Sequence, residues 1–235
     1  MLKKIIIDPK NDVHYYKSGD FHTQFGVIKE KEIKNGMIKS NLGKEFVVFD
    51  ANFLDELTKI RRGPAITHPK DIGLIIVTTG IGQGSKVLDA GSGSGSLSSY
   101  LARIGCKVTS YEINKEFFKI AQLNHKELGL EVEIKDKDVH KGIDEKDLDL
   151  IILDLPDPWN ALKYIHKALK NGAFLVCYLP TVTQVAELVK KFDNKFYMWK
   201  VSELLEREWH VEDLKVRPKN QMLGHTAFVV FARKI

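Results

Sequence analysis

The segment from residue 87 to residue 97 has the residue types and spacing of a ligand-binding loop. It reads Val-Leu-Asp-Ala-Gly-Ser-Gly-Ser-Gly-Ser-Leu, with three glycines at alternate positions. Glycines allow the backbone to pass close to a ligand where a Cβ atom would collide. Val87–Ala90 is predicted to be a buried strand and Leu97–Ile104 a helix, a context typical of nucleotide-type sites. A glycine-rich turn without a ligand is the alternative.

The spacing of these glycines and two nearby acids favours one ligand class. Dinucleotide sites prefer G-x-G-x-x-G, whereas here the third glycine comes one residue earlier. Asp89 suits an ammonium group, and Glu112, at the end of the next predicted strand, suits ribose hydroxyls. S-adenosylmethionine has both groups and no phosphate, so we expect it to be the cofactor. The residues predicted here to bind it are Asp89, Gly91, Ser92, Gly93, Ser94, Gly95, Ser96, Leu97 and Glu112.

A second group of residues follows the predicted strand Leu148–Leu155. Asp154 stands at the carboxyl end of this strand, which is where doubly wound sheets bind ligands. Pro156 and Pro158 stiffen the backbone that follows, and Trp159 supplies a large flat surface. This pattern predicts a second part of the same site. The alternatives are a carboxylate that caps a turn and a tryptophan that belongs to the core.

Strands and helices alternate from about residue 70 onwards. The predicted strands are Val87–Ala90, Lys107–Glu112, Val132–Ile134, Leu148–Leu155, Ala173–Tyr178, Phe196–Leu205 and Thr226–Phe231. The predicted helices are Asp71–Gly80, Leu97–Ile104, Lys115–Leu128, Trp159–Leu169 (with Asn171-Gly172 as its C-terminal cap) and Thr183–Phe192. Repeated β-α units predict an α/β fold with a mostly parallel, doubly wound sheet.

The N-terminal region has a different pattern. Residues 1–60 contain short apolar segments separated by Gly and Asn, which predicts a small β-rich domain before a larger domain over 61–235. Asn35-Gly36 is a hairpin signal. Phe53–Arg62 is predicted to be a helix that ends at Gly63-Pro64.

The charge is unevenly distributed. The net charge is +5, and residues 1–70 carry 13 Lys and Arg against 9 Asp and Glu, while the other 165 residues carry 23 against 22. A basic excess in the N-terminal third fits an anionic partner there, and the alternative is a solvated lysine-rich surface. No apolar run approaches the ~18 residues of a membrane span. We therefore expect a soluble cytoplasmic protein. Cys106 and Cys177 have no partner at metal-ligand spacing, so we expect neither a disulfide nor a metal site.

Four stretches together are similar to a known family, the tRNA adenine-N1 methyltransferases that act on T-loop adenines. The resemblance covers the chain from about residue 61 to its end, and more loosely the N-terminal region. The stretches are Arg62-Gly63-Pro64 with His68-Pro69-Lys70-Asp71, Asp89 to Leu97, Leu153-Asp154-Leu155-Pro156-Asp157-Pro158-Trp159, and Tyr178-Leu179-Pro180 with Gln184 and Gly224-His225-Thr226-Ala227-Phe228. The family usually has Tyr where His68 stands, and often Glu where Asp89 stands.

The resemblance implies a class I methyltransferase (Rossmann-like) domain preceded by the small β-rich domain. It implies methyl transfer to adenine N1 at tRNA position 58, in archaeal members also 57, and a homotetramer. The N-terminal basic domain is then expected to hold tRNA through phosphate contacts. His68, Asp138, Val139 and Asp154 are implied as further cofactor-binding residues, and Pro156, Trp159, Tyr178 and His225 as the pocket of the target base. Tyr178 and His225 each also fit a purely structural role.

The predicted chemistry needs little activation of the nucleophile, because N1 of an unpaired adenine has a free lone pair. Positioning of N1 in line with the methyl group then supplies most of the catalysis. Asp154 is the predicted catalytic residue, since a carboxylate that accepts from the N6 amino group stabilises the charge that methylation creates. Trp159 would stack on the extruded base.

Two other functions compete with this one. D-x-P-x-P-W is similar to the motif of methyltransferases that act on amino nitrogens of DNA or RNA. The other rival is a non-catalytic RNA-binding subunit that pairs with an active partner. Such a subunit would be expected to lose the glycine loop and the strand-end acid, yet Gly91, Gly93, Gly95 and Asp154 are all present.

Overall fold

The computed structural model describes residues 2–63 and 66–235. The chain divides into two compact units, Met1–Arg61 and Arg62–Ile235. No helix of the described residues is long and apolar enough to cross a membrane.

The N-terminal unit is built from short strands. They are β1 (Lys4–Ile7), β2 (Val13–Tyr16), β3 (Phe21–Thr23), β4 (Gly26–Ile28), β5 (Gly36–Lys39) and β6 (Glu45–Asp50), followed by helix α1 (Phe53–Thr58). Four of them form an antiparallel sheet in the order β2-β1-β6-β5, and β3 pairs with β4. One face of the sheet is buried because alternate side chains such as Ile6, Phe46 and Val48 pack with Ile28 and Ile33.

The second unit contains one large sheet. Its strands are β7 (Lys86–Ala90), β8 (Lys107–Tyr111), β9 (Val132–Lys135), β10 (Leu148–Leu153), β11 (Leu169–Leu179), β12 (Phe196–Ser202) and, after two strands outside the sheet, β15 (Phe228–Lys234). The order is β12-β15-β11-β10-β7-β8-β9, and only the pairings of β15 are antiparallel. The predicted mostly parallel α/β sheet is therefore confirmed.

Helices accompany these strands. They are α2 (Pro69–Thr79), α3 (Ser96–Arg103), α4 (Lys115–Glu127), α5 (Leu162–Ala168) and α6 (Val182–Lys190). Asn114 caps α4 by accepting from the backbone N–H groups of Glu116 and Phe117. Separate apolar clusters contain alternate side chains of the central strands, for example Ile151 and Leu153 in one and Leu150 and Ile152 in the other. Continuous apolar strands are expected when both faces of a parallel sheet are covered.

Three local predictions were wrong. Asn35-Gly36 does not form a hairpin, since β5 pairs with β6 through the turn at residues 40–44. The helix predicted for Phe53–Arg62 ends at Thr58, and Pro64 lies outside the described residues. Asn171-Gly172 is not a helix cap: α5 ends at Ala168, because Leu169 already pairs with Leu148 of β10. Gly172, with φ +75°, lies where β11 bulges before Phe174 pairs with Leu150.

One feature of the second unit was not predicted. Strands β13 (Trp209–Glu212) and β14 (Lys215–Pro218) form an antiparallel hairpin between β12 and β15. Trp209, Val211, Leu214 and Val216 are 54%, 68%, 99% and 58% exposed. The hairpin therefore presents apolar side chains to solvent instead of packing them in the core of this chain.

Candidate active site

The predicted motifs meet where the order of the strands reverses. The chain runs from β7 outward through β8 to β9 and then returns to β10, which lies on the other side of β7. Crevices at such points bind ligands beyond the carboxyl ends of the strands. The backbone N–H of Asp154, directly after β10, donates to the carbonyl oxygen of Ala90, the last residue of β7, at 2.7 Å. The two sequence motifs are thus adjacent in space.

A cavity of about 350 Å³ opens beside this contact. Its wall includes Thr67 before α2, Phe117 of α4, and the carboxylates of Asp89, Glu112 and Asp154. Of the predicted cofactor-binding residues of the loop, Gly91, Ser92, Gly93, Ser94, Ser96 and Leu97 also line it. We call it the larger cavity, to distinguish it from a cavity of about 150 Å³ that adjoins it.

Gly95 is needed for a different reason, because it faces the protein interior. Its φ is +79°, and a Cβ atom there would lie 2.6 Å from Nε2 of His125. His125 is buried, and its Nε2 lies 3.0 Å from the hydroxyl of Ser98 in α3. Burial lowers the pKa of His125 to about 4, so the ring is neutral. The neutral ring of His125, in α4, thus packs against the interior side of the glycine loop at Gly95.

Glu112 connects the glycine loop with the end of β8. Its Oε2 accepts from the backbone N–H of Gly93 at 3.0 Å, and its Oε1 accepts from the N–H of Asn114 at 2.8 Å. A Cβ atom at Gly91 would lie 3.3 Å from the same Oε2. These two hydrogen bonds hold the carboxylate of Glu112 in the cavity wall. A side chain at position 91 would be in tight contact with it.

Asp89 is a buried carboxyl group with spare hydrogen-bonding capacity. It is 1% exposed, and its Oδ2 accepts from the hydroxyl of Ser110 at 2.8 Å. Its Oδ1 has no hydrogen-bond partner among the described residues. The hydroxyl of Ser98 donates to the carbonyl oxygen of Gly95 at 3.2 Å, and it also lies close enough to the carboxyl group of Asp89 to lower its pKa. A buried acceptor without a donor carries a free-energy cost that a bound cationic donor would remove.

Two carboxyl groups of the larger cavity, those of Asp89 and Asp154, have raised pKa values. Burial raises the pKa of Asp89 to about 7, and the negative charges of Asp154 and Glu112 add to the shift, while the hydrogen bond from Ser110 opposes it. Desolvation raises the pKa of Asp154 to about 6. The side chain of Asp154 is nevertheless exposed, because it faces the open cavity. Three acids around one cavity make it suited to a cationic ligand.

A smaller cavity of about 150 Å³ adjoins the larger one through shared Gly91, Glu112 and Leu155. Its wall includes the predicted residues Asp138, Val139 and Pro156. Sequence reasoning missed His140, whose Nδ1 lies 3.0 Å from Oδ1 of Asp138 and whose Nε2 lies 3.3 Å from Oδ1 of Asp157. Its position two residues after Asp138, a residue already predicted for the site, was the available signal.

The comparison with known protein families shows which family this chain belongs to. The family described as "tRNA methyltransferase complex GCD14 subunit" matches residues 58–220. The chain belongs to the GCD14 family. The resemblance found in the sequence is thereby confirmed.

Individual relatives of this GCD14-family chain have similar lengths. The tRNA (adenine(57)-N(1)/adenine(58)-N(1))-methyltransferase TrmI of Methanocaldococcus jannaschii is 35% identical over 98% of this chain and 94% of its own length. The tRNA (adenine(58)-N(1))-methyltransferase TrmI of Thermus thermophilus is 33% identical over 93% of this chain and 90% of its own.

Solved structures confirm the class I methyltransferase fold of this family member. The tRNA (m1A58) methyltransferase TrmI of Aquifex aeolicus has a TM-score of 0.86 at 29% identity, over 99% of this chain and 96% of that one. A structure described as an SAM-dependent O-methyltransferase of Thermotoga maritima has a TM-score of 0.88 at 32% identity, over 99% and 92%.

Besides Gly95, four of the predicted site residues lie outside the walls of the two cavities, as far as the described residues show. His68 occupies the cap position of α2, and its side chain makes no capping hydrogen bond. Trp159 is partly buried and packs against the core. The Tyr178 hydroxyl donates to Oδ2 of Asp71 at 2.8 Å. His225 lies with Nδ1 2.5 Å from Glu203 and Nε2 2.8 Å from the carbonyl oxygen of Pro180, and Glu203 raises its pKa.

Proposed function

We propose that this GCD14-family chain transfers a methyl group from S-adenosylmethionine to N1 of adenine in the T loop of tRNA, at position 58; position 57, which the name of the Methanocaldococcus relative includes, is left open. The names of the Methanocaldococcus and Thermus relatives support the reaction and its substrate. The observation that carries the proposal for this chain is the buried, unpartnered Oδ1 of Asp89 in a cavity that it shares with Asp154.

The residues of the larger cavity fit S-adenosylmethionine. This cofactor carries a methyl group on a cationic sulfonium and, at its other end, an ammonium group. We assign the ammonium group to Asp89, whose Oδ1 needs a donor, and the ribose hydroxyls to Glu112. Asp138 and Val139, in the wall of the smaller cavity, are assigned to the adenine. The alternating glycines keep the loop free of side chains that would fill this space.

Asp154 is assigned the catalytic role. It is exposed to the larger cavity at the end of β10. Its pKa of about 6 leaves it mostly ionised at neutral pH, so it accepts a hydrogen bond from the N6 amino group of the target adenine. The carboxylate then stabilises the positive charge that methylation places on the ring. The hydrogen bond also orients N1 toward the methyl group.

The target base is assigned to the space beside Asp154. Pro156 lines the neighbouring cavity, and Trp159 lies in the turn that follows. Stacking of a base on an aromatic ring contributes about 1–3 kcal/mol. Tyr178 and His225 lie at the same edge of the sheet, since β11 ends at Leu179 and His225 contacts Pro180. We assign them to the rim of the base pocket.

The N-terminal domain, residues 1–60, is proposed to contact the phosphates of tRNA, since residues 1–70 carry 13 basic against 9 acidic side chains. Phosphate contacts release counterions, so the affinity for tRNA should fall steeply with salt. Titrations at several potassium chloride concentrations measure the slope, and an affinity that does not depend on salt would contradict this assignment.

The exposed hairpin of β13 and β14 supports the proposal that the chain forms a homo-oligomer, which the family resemblance implies is a tetramer. Four large apolar side chains, each more than half exposed in the single chain, are unusual on a monomer and typical of subunit interfaces.

The test of the function uses unmodified tRNA transcript, the purified chain and S-adenosylmethionine, with nucleoside mass spectrometry of the product. We expect 1-methyladenosine. N6-methyladenosine would support the amino-nitrogen alternative, and a ribose-methylated nucleoside would support an oxygen acceptor like that in the name of the Thermotoga structure. Absence of any product, together with absence of cofactor binding, would support the non-catalytic subunit.

A further inference from the structure

A buried network of four polar side chains surrounds the first turn of α2. Nζ of Lys70 donates to Oδ1 of Asp71 and to the hydroxyl oxygen of Thr226, both at 2.7 Å. The hydroxyls of Tyr178 and Thr226 each donate to Oδ2 of Asp71 at 2.8 Å. The side chains of Lys70 and Asp71 are only 7% and 0% exposed. We call these four residues the α2 anchor.

Burial of these charged groups is an inefficient way to stabilise the folded state. Removing a lysine and a carboxylate from water carries a desolvation penalty, and well-packed apolar residues of similar volume usually stabilise a protein equally well or better. Apolar packing of α2 is already supplied by Ile72 and Ile75, which are 1% and 0% exposed. Such packing is non-directional, whereas hydrogen bonds require defined distances and angles. The anchor therefore determines where the N-terminus of α2 lies on the sheet.

This position matters because α2 follows directly on part of the cavity wall. Ile66 and Thr67 line the larger cavity, and Thr67 is 6% exposed. The backbone N–H groups of Asp71 and Ile72 donate to the carbonyl oxygen of His68 at 2.9 and 3.0 Å, so the first turn of the helix continues rigidly into this wall. Pro69, at the first helical position, further restricts the backbone.

The other partners of the anchor lie at the same edge of the sheet as Asp154. Tyr178 is the penultimate residue of β11, which pairs with β10, and Thr226 lies just before β15. The negative charge of Asp154 contributes to the raised pKa of Tyr178, which places the two groups within electrostatic range. The anchor thus ties the wall of the cavity to the strand edge that carries the candidate catalytic carboxylate.

We propose that Lys70, Asp71, Tyr178 and Thr226 are positioning residues that hold the wall residues Ile66 and Thr67 against the cofactor cavity. This inference rests on the proposed function, since it concerns the affinity for S-adenosylmethionine. The hydroxyl of Thr226 is the most informative group, because it contacts both charged members of the network.

The test compares Thr226→Val, which keeps the shape but loses the hydroxyl, with Thr226→Ser, which keeps the hydroxyl. Calorimetric titration of each full-length variant with S-adenosylhomocysteine measures affinity without turnover. A hydrogen bond to a charged group contributes enough to weaken binding by about tenfold when it is lost. We expect this loss in Thr226→Val, faster amide exchange at residues 66–71 without ligand, and recovery of both in Thr226→Ser.

The matched control is Thr79→Val at the other end of α2, where the hydroxyl donates to the carbonyl oxygen of Ile75 at 2.8 Å. The control should bind like wild type. Unchanged affinity in Thr226→Val, or an equal loss in Thr226→Ser or Thr79→Val, would overturn the proposal. If Thr226→Val does not fold, Tyr178→Phe, which loses one donor to Asp71, is titrated with the same criterion. A wild-type chain that binds no cofactor contradicts the proposed function itself, whereas normal wild-type binding with unchanged variants contradicts only the anchor.

Discussion

The backbone N–H of Asp154 donates to the carbonyl oxygen of Ala90 at 2.7 Å. Main-chain atoms make this contact, so it joins β10 to the glycine loop whatever side chain stands at position 154. Substitutions of Asp154 therefore change the chemistry of the site while leaving the junction of the two motifs in place.

Asp154→Asn should lower the turnover number about 100-fold or more, because an amide cannot balance the charge formed on the adenine ring as a carboxylate does. The affinity for S-adenosylhomocysteine should change much less. Single-turnover rates and calorimetry measure the two effects. Asp147→Asn, at an exposed turn position just before β10 where φ is +54°, is the control with the same chemical change.

The pH dependence of the wild-type rate gives a second test of Asp154. Its pKa is raised to about 6, and the carboxylate must be ionised to accept from the amino group, so the rate with saturating cofactor should rise with pH through about 6. A flat profile between pH 5 and pH 7.5, or a near-wild-type rate in Asp154→Asn, would show that this residue is not catalytic.

Asp89→Asn should weaken cofactor binding and remove its pH dependence. The pKa of Asp89 is about 7, so in the wild type the group is mostly neutral below this pH and becomes an ionic partner for an ammonium group above it. Wild-type affinity should therefore increase as pH rises from 6 to 7.5, while the variant shows no such change. Calorimetry at three pH values measures this, and parallel profiles in the two proteins would contradict the assignment.

The same substitution should stabilise the unliganded chain at alkaline pH. A carboxyl group whose pKa is raised in the folded state binds more protons there than when unfolded, so wild-type stability falls as pH increases from about 4 to 7. Asp89→Asn has no charge to bury. Its Tm without ligand should exceed that of the wild type at pH 8 but not at pH 4, as measured by calorimetric scans.

Gly95→Ala should destabilise the chain and abolish cofactor binding. The left-handed backbone alone costs a residue with a side chain about 1–2 kcal/mol, and the new Cβ atom would also lie 2.6 Å from Nε2 of His125. Gly84→Ala is the matched control, because Gly84 has φ +81° but a Cβ atom there would meet no neighbouring atom within 4 Å. Urea unfolding should show a larger decrease in the free energy of unfolding for Gly95→Ala than for Gly84→Ala. Equal decreases would mean that His125 moves aside without a free-energy cost.

Leu214→Glu should reduce the mass of the oligomer in solution. Leu214 is 99% exposed at the tip of the hairpin, and a charge there would have to be buried in any interface that the hairpin forms. Light scattering after size-exclusion chromatography measures the mass. Val77→Glu, at a residue 83% exposed on α2, should leave it unchanged. A monomeric wild type, or an unchanged mass in Leu214→Glu, would contradict an interface at this hairpin.

Elements whose pattern depends on local residues were predictable from the sequence. The apolar run of β10 and the alternation of strands and helices follow from burial on both faces of the sheet. The glycine loop was recognisable because three glycines at alternate positions stand between a predicted strand and a predicted helix. The turn at Asn35-Gly36 and the cap at Asn171-Gly172 were wrong, because strand pairing with β6 and with β10 overrode the local turn preference.

The surroundings of individual side chains could not be predicted from the sequence in this way. The hydroxyl of Tyr178 donates to Asp71, a residue 107 positions earlier in the chain, and no local pattern in the sequence indicates this contact. His125 gave no signal in the sequence, although it packs under Gly95. Contacts between residues so far apart arise only when the sheet brings their elements together.

The sequence by itself determined the order of strands and helices, the glycine loop and the acids at the strand ends, because backbone preference and burial act over a few neighbouring residues. Only the tertiary structure decided which carboxylates share a cavity, that Oδ1 of Asp89 lacks a donor, and that Lys70 and Asp71 are buried with Thr226. Desolvation, pKa shifts and hydrogen-bond satisfaction depend on every atom within a few ångströms, and those atoms come from elements that are distant in the chain.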